Sequence, residues 1–180
     1  MKWQNLVLDA FKRQTEEFEK ALDGLKQADL DMLPAPDCNS IGWLLWHTIR
    51  GIDRNMSEVM GEDQLWTNDG WHAKFGCGPD PAETGLGHTA AQVKAFKAPP
   101  PEVYLGYYRA IMEKVTTYIN SRLDETELSR HYFSPTLKKE SNVNTVLAGV
   151  FWHGGNHIGQ ADYARGLLKG QGKGKGWYGR

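Results

Sequence analysis

The chain has 180 residues, with 21 Lys and Arg against 22 Asp and Glu and a formal net charge of -1. That length fits one domain with a substantial core, and the even charge balance provides no basic excess to hold nucleic acid or an anionic membrane. Two cysteines, Cys38 and Cys77, stand outside any CxxC pattern, which argues against both a disulfide framework and a thiolate zinc knuckle.

The first two dozen residues carry Trp3, Val7, Phe11, Phe18, Leu22 and Leu25 on one face, interrupted by Gln14, with charges elsewhere around the cylinder. This is the pattern of an amphipathic helix. Its scattered charges do not make the basic cap and apolar run of a secretory signal, so a cytoplasmic protein is expected. A turn-rich stretch, LPAPDCNS, ends at Asn39 or Ser40, either of them a good helix cap. A second helix follows with Ile41, Leu45, Thr48, Ile52, Met56 and Val59 inward.

Gly61 to Pro100 form an insert of about 40 residues, rich in glycine and proline and containing Trp66, Trp71 and Phe75. A connection that long is expected to carry short helices or a lid over a site. The three aromatic residues are its candidate substrate-binding side chains. Prolines suited to a helix start then open a third helix, with Tyr104, Tyr108, Ile111, Val115 and Ile119 on one side. A fourth runs from about Val143 to Leu168, and Ser141 to Ala161 contain no charged side chain. Asn142, Asn144, Asn156, two histidines and several glycines make this run too polar to sit in lipid. No convincing alternating strand is visible. The expected fold is all-α, an antiparallel four-helix bundle over residues 1–170 with a long insert between its second and third helices, followed by a flexible Gly/Lys-rich tail over 171–180.

The fourth helix contains FWHGGNHIGQ, in which His153 and His157 fall four residues apart on the apolar stripe of Val143, Val146, Val150, Ala161, Ala164 and Leu168. On a helix their rings stand about 6 Å apart along the axis and about 40° apart around it, close enough to reach one point. Spacing alone does not separate a metal pair from two hydrogen-bonded core histidines, but burying imidazoles without partners is costly. His47, in WLLWHTIR on the second helix, borders that helix's apolar stripe and is placed to face the pair. Three neutral imidazoles suit zinc, nickel, copper or iron and leave a position open for water or substrate. The HExxH signature of zinc proteases is absent, because the position after His153 is Gly154. Gln160, one turn from His157, is a candidate to support that ring. Arg50, Arg54 and Arg165 are candidates either for surface ion pairs or for anchoring a substrate carboxylate. His88 could approach the site from the insert, and His72 and His131 are expected on loops or the surface.

WHTIR on the second helix and HGGNHIGQ on the fourth, separated by LWTNDGWHAKFG and GLGHTAAQV, resemble the DinB superfamily of four-helix-bundle metalloenzymes across nearly the whole chain. The resemblance implies a divalent metal, zinc or nickel, on His47, His153 and His157, and a homodimer. It implies an enzyme that activates a small-molecule thiol, such as bacillithiol, mycothiol or glutathione, for transfer to an electrophilic substrate or for a thiol-dependent isomerisation. A metal-dependent hydrolase and a stress-related metal-binding bundle without turnover are the alternatives the same residues leave open.

Overall fold

The computed structural model describes residues 2–168, and the tail expected over 171–180 lies outside them. In chain order, α1 (Trp3–Leu22) leads through the single turn α2 (Gln27–Leu30) to α3 (Ile41–Met60). The insert carries α4 (Leu65–Asn68), α5 (Trp71–Lys74) and α6 (Ala90–Ala95), short helices of the kind expected there. Then come α7 (Pro101–Ser121), α8 (Glu125–Ser129), a hairpin of β1 (His131–Ser134) and β2 (Lys139–Asn142), and α9 (Val143–Leu168). The long helices α1, α3, α7 and α9 form the expected bundle, with α3 packed most extensively on α9.

The helix faces follow the apolar periodicity. Phe11, Phe18 and Leu22 of α1, Ile41, Leu45, Ile52 and Met56 of α3, and Tyr104, Tyr108, Ile111, Val115 and Ile119 of α7 are buried in one core with Val143, Val146, Val150 and Ala161 of α9. Ser40 caps α3, its hydroxyl accepting from the Trp43 amide at 3.2 Å. Gln14, the interruption on α1, is buried, donates to the Phe151 carbonyl at 3.3 Å and accepts from the Tyr108 hydroxyl at 3.4 Å. Gly154 makes room for that amide, since a Cβ there would lie 2.4 Å from Gln14 Nε2.

A short hairpin is added to the all-α bundle, in a segment where no convincing alternation is visible. β1 and β2 pair antiparallel from His131 with Asn142 to Ser134 with Lys139. Four residues per strand are too few for alternation to stand out against the background. The hairpin is tied to α3 by Glu58, whose carboxylate accepts from the Ser134 hydroxyl at 2.8 Å and the Thr136 amide at 3.1 Å.

The insert is fastened by Arg50, which is fully buried rather than turned to a ligand. Its Nε donates to the Glu83 carbonyl at 2.9 Å. Nη1 donates to Asp53 Oδ2 at 3.3 Å and to the Tyr107 hydroxyl at 3.0 Å, and Nη2 to Gln64 Oε1 at 2.7 Å and the Pro81 carbonyl at 3.0 Å. Every guanidinium N–H is therefore used, and the Trp66 ring lies 4.5 Å from the guanidinium carbon. Asp53 also accepts from the amides of Leu65 and Trp66 and, at 2.6 Å, from Tyr107. Arg54 likewise reaches the insert, donating to the Ala82 carbonyl at 3.2 Å. Arg165 donates to the Lys20 and Asp23 carbonyls at the end of α1.

Arg50→Ala leaves the buried Asp53 carboxylate without its counter-charge, and urea unfolding should register a loss of about 3–5 kcal/mol. A loss below about 1 kcal/mol would mean that the guanidinium does not hold the insert in place.

Candidate metal centre

α3 and α9 bring His47, His153 and His157 together, as their spacing predicts. Their ring centroids stand 4.8, 4.8 and 4.6 Å apart. His47 is buried, while His153 and His157 are half-buried at the edge of the inward face of α9. Each ring offers a nitrogen within 4.8 Å of the others, and no further His, Cys, Asp or Glu among the described residues joins them. His153 Nε2 lies 3.1 Å from His47 Nε2. Nitrogens around a tetrahedral ion at about 2.1 Å stand about 3.4 Å apart, so the set, now within 4.8 Å, fits one ion after the widest pair closes by up to about 1.4 Å.

Two outer contacts decide which nitrogens face inward. The Thr84 carbonyl in the insert can only accept, so the His47 Nδ1 bonded to it carries the proton and Nε2 presents its lone pair. On α9, His157 Nδ1 stands 2.7 Å from Gln160 Oε1 and donates to it, which leaves its Nε2 free as well. Histidine ligands are commonly oriented by this kind of outer hydrogen bond. His153 is placed by shape. Its Cε1 would lie only 2.5 Å from a Cβ at position 51, so Gly51, one turn beyond His47, is what lets the ring lie against α3.

Thr84 itself is pressed onto α3 by Gly85. That residue has φ +82, and a Cβ on it would meet the Trp46 ring at 2.7 Å and the Trp43 ring at 2.8 Å, so glycine satisfies both the backbone and the contact. Trp43 stacks on His47 with centroids 4.9 Å apart, and its Nε1–H donates to His88 Nδ1 at 3.2 Å. His88 Nε2 in turn lies 3.2 Å from Glu83 Oε1. His88 thus stands behind the centre, with the Trp43 ring between it and His47.

Burial favours the neutral form of His47 and His153. It lowers the pKa of His47, helped by the nearby His157 and His88 and opposed by the bond to Thr84. It pushes His153 down to about 3, with His47 and His157 adding to the effect. Neutral imidazole is the form that binds metal. The three-imidazole donor set, the inward Nε2 atoms of His47 and His157 and the lowered basicity of His47 and His153 therefore fit a divalent cation.

The insert aromatics expected around a substrate lie away from the histidine triad. Trp66 is fully buried between Arg50 and Tyr107, and Trp71 stacks on Tyr107 with centroids 5.1 Å apart. Phe75 packs edge-on against Tyr104 and lines a separate cleft in the insert. Among the described residues none of the three has a ring contact with the histidine triad. His72 rests near the Cys77 carbonyl, and His131 is exposed on β1. Sequence patterns missed Thr84, Trp43 and Gly51. Only Gly51 left a trace, as a helix-interior glycine one turn from His47.

His157→Ala should release the ion, and Gly51→Ala, by displacing the His153 ring, should weaken metal binding by about 10–100-fold in competition with a chromophoric chelator. Full retention of metal in either variant would contradict the site. Protonation gives a second expectation for metal-free protein. Histidines in the unfolded chain take up protons near pH 6.5, whereas His153 in the fold resists until about pH 3. The unfolded state thus binds more protons in that window, so stability is full above about pH 6.5 and falls as the pH drops toward about 3. The difference in urea midpoint between the parent and His153→Ala should shift against the parent on going from about pH 7 to about pH 4. A difference independent of pH would contradict the burial of that ring.

The model of the DinB superfamily matches residues 10–161. A crystal structure described as the conserved protein of locus from Enterococcus faecalis is similar over 95% of this chain and 99% of that one, with 27% identity and a TM-score of 0.82. No curated protein matches. A helical bundle that joins one histidine of its second long helix to an HxxxH pair on its last, within a family match spanning most of the sequence, leads to one conclusion: the chain belongs to the DinB superfamily.

Proposed function

We propose that the protein is a zinc- or nickel-dependent enzyme that activates a low-molecular-weight thiol for transfer to an electrophilic small molecule, or for a thiol-dependent isomerisation. The observation that carries this reading is the set of three imidazoles with ring nitrogens within 4.8 Å of one another and no fourth protein donor among the described residues. Such a set leaves room for an exogenous ligand. A divalent cation there supplies Lewis acidity, which lowers the pKa of a thiol or water in the open position.

The remaining work belongs to the chain. Thr84 and Gln160 hold the His47 and His157 rings with their Nδ1 protons outward. Gly51 keeps His153 against α3, so the three rings stay aimed at one point when the ligand arrives. A thiol is favoured over water as that ligand because thiols ionise far more readily than water and bind these ions strongly.

Cobalt substitution tests the choice. Addition of bacillithiol, mycothiol or glutathione to the cobalt protein should produce a sulfur-to-metal charge-transfer band, and the band should be missing from His153→Ala. A spectrum unmoved by all thiols, together with water-dependent ester or amide cleavage, would replace the transferase with a hydrolase.

The protein is further proposed to act in the cytoplasm, consistent with two free cysteines, Cys38 and Cys77, and to pair with a second copy of itself. Pairing is supported by the outer face of α9, where Trp152 and Tyr163 are exposed by 72% and 71% among glycines and without a charge before Asp162. Light scattering at micromolar concentration should give twice the chain mass, and Trp152→Glu should halve it. A monomer in the parent protein would refute the pairing alone.

A further inference from the structure

We propose that the cleft in the insert is a second ligand site, separate from the metal centre, which takes a small planar aromatic molecule bearing an anionic group. The cleft has a volume of about 680 Å³, within the range that accommodates small-molecule ligands. None of the three histidines lines it. Trp43 stands between, stacked on His47 on one side and donating to His88, a wall residue of the cleft, on the other.

The walls select the shape of the ligand. Half-buried Phe96 and exposed Pro100 line the space over buried Trp46, Phe75 and Pro99, with the Trp46 and Phe96 rings 5.1 Å apart. Flat conjugated molecules stack on such surfaces better than flexible chains do. Trp46 is buried, and its Nε1–H has no acceptor among the described residues. A wall residue with an unmet donor favours a ligand that brings an acceptor over a purely apolar one.

The rim selects its charge. Lys74 sits at the mouth with its ammonium 3.8 Å from the centre of the Trp71 ring, and exposed Lys97 has no acidic partner among the described residues. The carboxylate on the lining, Glu83, is already engaged by the Gly85 amide at 2.8 Å and by His88 at 3.2 Å. Cations left free at the mouth of an aromatic cleft match a ring system ending in a carboxylate or a similar anion.

Calorimetric titration of 2-naphthoate tests this in the full chain, both metal-loaded and in the metal-free His157→Ala protein. Saturable one-to-one binding below about 1 mM is expected in both, as for a ligand of that size. Ala95→Trp, placed on exposed α6 at the cleft lining, should fill the space and weaken binding at least about tenfold without disturbing the core. The double variant Lys74→Glu and Lys97→Glu should weaken 2-naphthoate about tenfold while leaving neutral 2-naphthamide within about twofold. Circular dichroism matching the parent confirms that each variant is folded. Absence of saturable binding up to about 5 mM, or affinity unchanged in Ala95→Trp, would overturn the site. Equal losses for the acid and the amide in the double variant would overturn the anionic preference. Binding that disappears in His157→Ala would assign the ligand to the metal centre instead, whereas failure of the metal reading leaves the expected result in the cleft unchanged.

Discussion

A guanidinium taken out of water must find an acceptor for each of its N–H groups, and for Arg50 most of those acceptors come from a segment with little regular structure of its own. Gln64, Pro81 and Glu83 all belong to the insert, and they converge on one side chain of α3. The insert therefore has a defined path, because any other path leaves buried donors unmet. Residue 84 follows directly from that path. Its carbonyl reaches His47, which lies one turn before Arg50 on the same helix. A buried charge and a candidate ligand thus share one piece of chain, and the charge fixes where that piece runs.

The centre combines two ways of placing a ring. His47 and His157 are held by acceptors on their outer nitrogens, which sets both direction and tautomer. His153 is held by the shape of the surface it meets, a helix stripped to glycine at position 51. Hydrogen bonds constrain rotation tightly, and a van der Waals surface mainly forbids approach. The two devices together give a site whose shape is set by the chain itself, in a setting where burial already favours the uncharged forms of His47 and His153.

Much of this was legible in residues. The fourth long helix was visible as an uncharged run from Ser141 to Ala161 whose apolar periodicity continues to Leu168, and the three histidines could be placed on two helices from that periodicity, with the family resemblance joining them at one site. Gln160 was readable for the same reason, as a neighbour one turn from His157. Arg50 was not, since an arginine turns inward only when acceptors from distant segments meet it, and no local pattern encodes that meeting. The packing of Trp66 and Trp71 was unreadable for a related reason. Aromatic residues in a glycine-rich insert look the same in one dimension whether they line a pocket or pack on Arg50 and Tyr107. The hairpin was too short to announce itself.

Because the group that orients His47 is a main-chain carbonyl, it has no counterpart in the identity of residue 84. Replacing the threonine side chain leaves the acceptor where it is, and the information that fixes the tautomer resides in the path of the backbone. The mutational target for this part of the centre is accordingly displaced onto residues that set that path, Gly85 and Arg50 among them. A lineage can therefore rewrite much of the insert's surface, and with it whatever that surface recognises, while inheriting the same poised imidazole.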